Sequence, residues 1–170
     1  GRWDEALAAV RGAVDKDPLS ADAHSMLSGI RREGGRLEEA VHHGREAIRL
    51  DPGRATHHNE VGNALAGLRR LDEALTHFQE AVRLQPTNAK LQANLGNILA
   101  LSQRLEEAIV HLREATHLEP AAPYAHGSLG LALLKLGRPR EALPVLLRAV
   151  ELFPADAPLR AECQRQVTLC

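Results

Sequence analysis

Between Asn88 and Pro120 the apolar positions fall in two stripes. Leu91, Leu95, Ile98 and Leu99 recur at the three- and four-residue intervals that place side chains on one face of an α-helix. The polar pair Gln103-Arg104 interrupts them. A second stripe follows at Leu105, Ala108, Ile109, Leu112 and Ala115. Asn88 suits an N-cap, since its side chain can accept from a free backbone N–H. Pro120 stops the second helix, because proline has no N–H to donate. The segment predicts helix, turn, helix.

The same pattern recurs along the chain. Pro18, Pro52, Pro86, Pro120 and Pro154 stand 34 residues apart. Ala6, Ala40, Ala74, Ala108 and Ala142 keep that step, as do Ala13, Ala47, Ala81, Ala115 and Ala149. Arg2, Arg36, Arg70, Arg104 and Arg138 repeat in register with Glu5, Glu39, Glu73, Glu107 and Glu141. A fixed period of this length marks a solenoid, in which each two-helix unit buries its apolar face only by stacking. Gly62, Gly96 and Gly130, with Ser28 in the matching place, sit on first helices, and the Ala40 series sits on second helices. Helices approach closely where side chains are small. The breaks at Gly35-Arg36 and Gly137-Arg138 put glycine where a helix C-terminus wants a left-handed residue.

These residues resemble the tetratricopeptide repeat family, whose pattern runs aromatic-x-x-Leu-Gly-x-x-Tyr, then Ala-x-x-x-Phe-x-x-Ala, then Pro. Two copies here read Val61-Gly62, Ala74, Phe78, Ala81, Pro86 and Leu95-Gly96, Ala108, Leu112, Ala115, Pro120. The aromatic slots depart from it. His24, His58, Gln92 and His126 stand at the first, and Arg31, Leu65, Leu99 and Leu133 at the tyrosine. The resemblance implies an all-α, right-handed α-solenoid of helix-turn-helix repeats. One orphan second helix is expected in 1–20, full repeats at 21–54, 55–88, 89–122 and 123–156, and one orphan first helix in 157–170. We read the chain as part of a longer protein. Trp3, Val10 and Val14 at one end, and Leu159, Cys163 and Val167 at the other, are then expected to be partly uncovered. Head-to-tail self-association through the helices at about 2–16 and 156–168 follows as an expectation.

Composition narrows the function. The 170 residues carry 21 Lys and Arg against 22 Asp and Glu, a net charge of −1, which offers no field for nucleic acid or an anionic membrane. No apolar run reaches the ~18 residues of a membrane span. There is no signal peptide pattern, and two cysteines cannot form a disulfide scaffold, so a cytoplasmic protein is expected. Phosphate loops, dinucleotide-binding glycines, H-E-x-x-H and C-x-x-C are all missing. No enzyme, no cofactor and no metal are expected. Nine histidines are the strongest metal hint, with His43, His77 and His111 in the 34-residue register. Neighbouring helices lie ~8–10 Å apart, too far for ligands ~2 Å from one ion, so these residues read as a polar ladder on the outer surface. The repeated Glu reads as a first-turn acid that offsets the helix dipole and caps backbone N–H groups. Cys163 reads as a small core residue, and Cys170 as an exposed thiol.

The family resemblance implies that first helices line a concave groove, with their second, fifth, sixth, ninth, twelfth and thirteenth residues turned inward. Those positions hold Asn59 and Asn63 in one repeat, and Lys90, Asn94, Asn97, Ala100 and Leu101 in the next. Tyr124, Ser128, Leu131, Leu134 and Lys135 hold them in the fourth. An asparagine offers both a donor and an acceptor to the amides of an extended peptide. The expected peptide-binding residues are therefore Asn59, Asn63, Lys90, Asn94, Asn97, Tyr124, Ser128, Leu131 and Leu134. A carboxylate clamp of the chaperone-binding kind is not expected, because Asn59, Tyr124 and Ser128 stand where its bases belong. The run Ala93-Asn94-Leu95-Gly96-Asn97 is similar to the asparagine ladder of O-linked N-acetylglucosamine transferase superhelices. The expected function is a protein-binding adaptor. The alternatives are the substrate-recruiting arm of a larger enzyme such as a glycosyltransferase, and a self-associating assembly module.

Overall fold

A computed structural model describes residues 8, 10–12 and 14–169. Among them every regular element is an α-helix: α1 (Ala21–Glu33), α2 (Leu37–Leu50), α3 (Ala55–Gly67), α4 (Leu71–Leu84), α5 (Ala89–Leu101), α6 (Leu105–Leu118), α7 (Pro123–Lys135), α8 (Pro139–Leu152) and α9 (Pro158–Leu169). Residues 8, 10–12 and 14–16 are helical as well. Trp3, Ala6, Ala13 and Cys170 lie outside the described residues, as do Arg2 and Glu5.

The contacts divide the chain into two compact units, residues 1–86 and 87–170. In the first, α1 packs on α2, α2 on α3 and α3 on α4, and α1 also meets α3. In the second, α5 through α9 each pack on the next helix, α5 also meets α7, and α7 meets α9. First helices thus lie beside first helices within each unit, the solenoid arrangement that the period predicts.

Local chemistry sets the helix ends. Ser20 Oγ accepts the Ala23 N–H at 3.2 Å, and Asn88 Oδ1 accepts those of Lys90 and Leu91. The first helices α1, α3, α5 and α7 close in the same way. The Arg36, Arg70, Arg104 and Arg138 N–H groups reach back to the carbonyls of Arg31, Leu65, Leu99 and Leu133, while the preceding N–H bonds one turn inside. This double closure needs a left-handed residue at its corner. Gly35 and Gly137 supply it at φ 75°, but Arg69 and Gln103 hold the same corner at 62° and 61°.

Packing explains the small residues. A Cβ on Gly62 would stand 2.9 Å from Phe78 Cε1, and one on Gly130 would stand 2.5 Å from Leu146 Cγ. Ala40, Ala74, Ala108 and Ala142 are fully buried across the same seam. Ser28 fills the glycine position of its repeat by donating to the Ala40 carbonyl at 2.7 Å.

At the ends the expectation of partly uncovered residues divides. Val14, Leu159 and Val167 are half-buried, in line with it, whereas Val10 and Cys163 are buried and correct it, because neighbouring helices of the chain cover them. Cys163 is a core residue. Burial, followed by the Glu162 charge, pushes its thiol above the ordinary range.

Candidate functional site

Residues 90, 93, 94, 97, 100 and 101 follow at intervals of one to three on α5, and 124, 128, 131 and 135 at intervals of three or four on α7. That spacing turns each set along one side of its helix. With the two helices adjacent, the second unit gains two hollows. One, of about 380 Å³, is bordered by Lys90, Ala93, Asn94, Asn97, Glu119, Pro123 and Tyr124. The other, of about 270 Å³, is bordered by Asn97, Ala100, Leu101, Ser128, Leu131 and Lys135. Asn97 borders both. Tyr124 is 66% exposed yet held, because its ring meets buried Phe153 edge-on at 4.9 Å between centroids. Leu101 is exposed, leaving an aliphatic floor open to solvent with Lys135 at its rim.

The expected site residues therefore separate by place. Lys90, Asn94, Asn97 and Tyr124 come together around the first hollow, and Asn97, Ser128 and Leu131 around the second. Leu134 is half-buried on α7 and borders neither. Asn59 and Asn63 lie on α3 in the first unit, Asn63 half-buried and Asn59 only 6% exposed. On that unit, Glu60 of α3 pairs with Arg32 of α1 at 3.3 Å. Lys135 and Leu101 were inward positions in the sequence, but the hollow they share with Leu131 needed the α5–α7 packing to emerge.

The histidine register reads differently in three dimensions. His43 Nδ1 lies 3.3 Å from His24 Nδ1, and His77 Nδ1 lies 3.4 Å from His58 Nδ1. His111 Nδ1 lies 2.8 Å from Gln92 Oε1. Each contact joins the second helix of a repeat to its first helix, 19 residues earlier. The expected outer ladder is thus corrected: His43, His77 and His111 are half-buried between paired helices. Burial is the largest cause holding all three imidazoles below their ordinary pKa. The charges of His42 and His24 add to it at His43, and that of His58 at His77. The signal was present in the sequence as a 19-residue offset shared by three repeats. Among the described residues no three His, Cys, Asp or Glu side chains gather as a metal set.

The repeated Arg and Glu face each other instead of the backbone. Arg70, Arg104 and Arg138 donate to Glu73, Glu107 and Glu141 at 2.6–2.8 Å. Those bonds hold the carboxyls below the usual range. Arg45 and Arg113 reach two of the same acids, Glu73 and Glu141, from the preceding second helix. Glu73 and Glu141 therefore bridge two guanidinium groups each.

Residues 1–55 and 61–116 match a family described as tetratricopeptide repeat, residues 96–137 one described as TPR repeat, and residues 123–156 a further tetratricopeptide repeat description. Among solved structures, the fold is similar to TTC0263, a thermophilic TPR protein in Thermus thermophilus. That likeness has a TM-score of 0.82 at 26% identity, over 99% of this chain and 92% of that one. MamA is similar with a TM-score of 0.79 at 22% identity, over 88% of each chain. YrrB, a TPR protein with an unusual peptide-binding site, is similar with a TM-score of 0.78 at 22% identity, over 96% of this chain and 84% of that one. No curated protein matches the chain in sequence. No helix among the described residues is long and apolar enough to cross a membrane.

Proposed function

The chain belongs to the tetratricopeptide repeat family, and from that premise we propose that it is a protein-binding module that holds an extended partner segment along α5 and α7. The observation that carries this reading is the pair of hollows joined at Asn97. Asn94 and Asn97 would hydrogen-bond the partner backbone, each offering a donor and an acceptor. Tyr124, Leu101 and Leu131 would bury aliphatic side chains of the segment. Lys90 and Lys135 would attract carboxylates, so a segment mixing aliphatic and acidic residues fits best. The unusual peptide-binding site of YrrB, which is structurally similar, is in keeping with this reading. On the first unit, taken by itself, half-buried Asn63 would offer the same kind of backbone recognition, and Asn59, being buried, would contribute less surface.

A displayed library of random peptides selected on the wild-type chain tests it. The selected peptides are expected to be extended, aliphatic and acidic. Asn94→Ala with Asn97→Ala is expected to weaken them at least tenfold, and Tyr124→Ala severalfold. Equal affinity for wild type and both variants would place binding elsewhere and overturn the proposal.

A further inference from the structure

The two histidine pairs of the first unit share one construction. His24 Nε2 lies 3.2 Å from the Pro18 carbonyl, and His58 Nε2 lies 3.3 Å from the Pro52 carbonyl. A carbonyl only accepts, so in each neutral ring Nε2 carries the proton and the Nδ1 lone pair faces the partner histidine. A backbone carbonyl behind the distal nitrogen is also what orients metal-ligating histidines.

The separation is informative. A hydrogen bond across this helix seam is already made at 2.8 Å by Gln92 and His111. The histidine pairs stand wider, at 3.3 and 3.4 Å, long hydrogen bonds for this seam. Two nitrogens each ~2.05 Å from one tetrahedral ion stand roughly 3.3–3.4 Å apart. The ring centroids are 5.5 and 5.6 Å apart and the planes tilted by 34° and 41°, so the two pairs share one arrangement. Carboxylates accompany both pairs: Glu46 interacts electrostatically with His24, and Glu80 with His58. Arg49 and Arg83 hold those acids; at His43 the charge of Arg31 opposes a cation and that of Glu39 favours it, as do Arg45 and Glu73 at His77.

We propose that His24 with His43, and His58 with His77, are two equivalent chelating sites for a divalent transition-metal cation, zinc being the ion whose tetrahedral geometry they fit. Each pair supplies two ligands, and solvent or an external donor completes the sphere, since no third metal-binding side chain joins either pair among the described residues. On binding, His43 and His77 move their ring proton from Nδ1 to Nε2 by exchange with solvent, so both rings stay neutral. The sites are exchangeable, with micromolar affinity expected, in contrast to the closed four-ligand sites that fold a domain.

The third repeat supplies the test variants, because it already places glutamine where the others have histidine. Zn²⁺ alone is titrated calorimetrically into the chain near neutral pH. The wild type is expected to show two saturable sites, His24→Gln one, His58→Gln one and the double variant none, with His111→Gln retaining both. Nitrogen-15 imidazole spectra of the wild type give a readout independent of variant folding. On adding Zn²⁺, the Nδ1 signals of His24, His43, His58 and His77 are expected to shift. Absence of saturable binding, two sites surviving in the double variant, or shifts confined to other rings would overturn the proposal.

Discussion

Arg31 Nη1 stands 3.2 Å from Glu39 Oε2, with the arginine side chain 4% exposed and the glutamate 48% exposed. The matching slots of the next three repeats hold Leu65, Leu99 and Leu133, all buried. Arg31 Nε and Nη1 make no hydrogen bond, so the guanidinium has lost its water for one half-exposed partner. A hydrophobe often replaces such an ion without loss. Arg31→Leu is expected to leave stability unchanged or raise it by up to about 2 kcal/mol. Glu39→Ala strands the buried cation and is expected to lower stability by about 1–2 kcal/mol, less than a fully buried pair because the acid is half in solvent. Urea unfolding of both variants checks this, and a leucine variant less stable than the alanine variant would refute it.

Glycines on first helices should divide by what lies over them. A Cβ on Gly96 would stand 2.6 Å from Leu112 Cγ and 3.1 Å from the Ala108 carbonyl. Gly96→Ala is expected to cost about 1–3 kcal/mol. On Gly29 of α1 a Cβ would meet only Glu60 Oε2, at 3.7 Å. Gly29→Ala is expected to gain about 0.5–1 kcal/mol, because alanine loses less backbone entropy in a helix interior. Opposite shifts in the thermal midpoint are the readout.

The helix corner at Gln103 carries strain that its glycine counterparts avoid. Its φ is 61°, where Gly35 and Gly137 adopt 75°. Side chains with a Cβ cost roughly 1–2 kcal/mol in that region. Gln103→Gly is expected to raise stability by up to about 1 kcal/mol, and Gly35→Ala, which has open space around it, to lower it by about 1 kcal/mol. Calorimetric melting of the two variants distinguishes this from a purely steric account, which predicts no loss at Gly35.

His111 gives the folded chain an acid sensitivity with a definite sign. Burial holds its pKa below 6.5, with Glu107 opposing. Above that ordinary value the ring is neutral whether folded or unfolded, and its contribution is fully present. As pH falls from 6.5 toward the lower folded pKa, the unfolded chain takes up the proton first, and stability declines. His111→Gln is expected to lose less stability than wild type between about pH 7.5 and pH 5. Urea midpoints at the two values measure the difference, and parallel declines would remove His111 from the account.

The tetratricopeptide period was legible because local rules repeat: every first-helix corner in the 34-residue register closes by the same backbone bonds, whether it holds Gly35, Arg69, Gln103 or Gly137. The candidate site was legible only in part. Lys90, Asn94, Asn97 and Tyr124 followed from helical phase and the family's inward positions. That Asn97 borders two hollows, that Leu134 borders neither and that Asn59 is buried depends on how deeply neighbouring helices pack.

Sequence alone determined the helices and the Asn88 cap, because each is set by neighbours within one or two turns, and the small residues at the seams, because they recur in the 34-residue period. Tertiary structure decided which polar residues meet. His24 and His43, or Gln92 and His111, lie on different helices whose rotation about their axes is set by core packing, and a rotation of a few tens of degrees would carry those rings past one another. The Glu73 bridge to Arg45, two helices away, was beyond the reach of local pattern for the same reason.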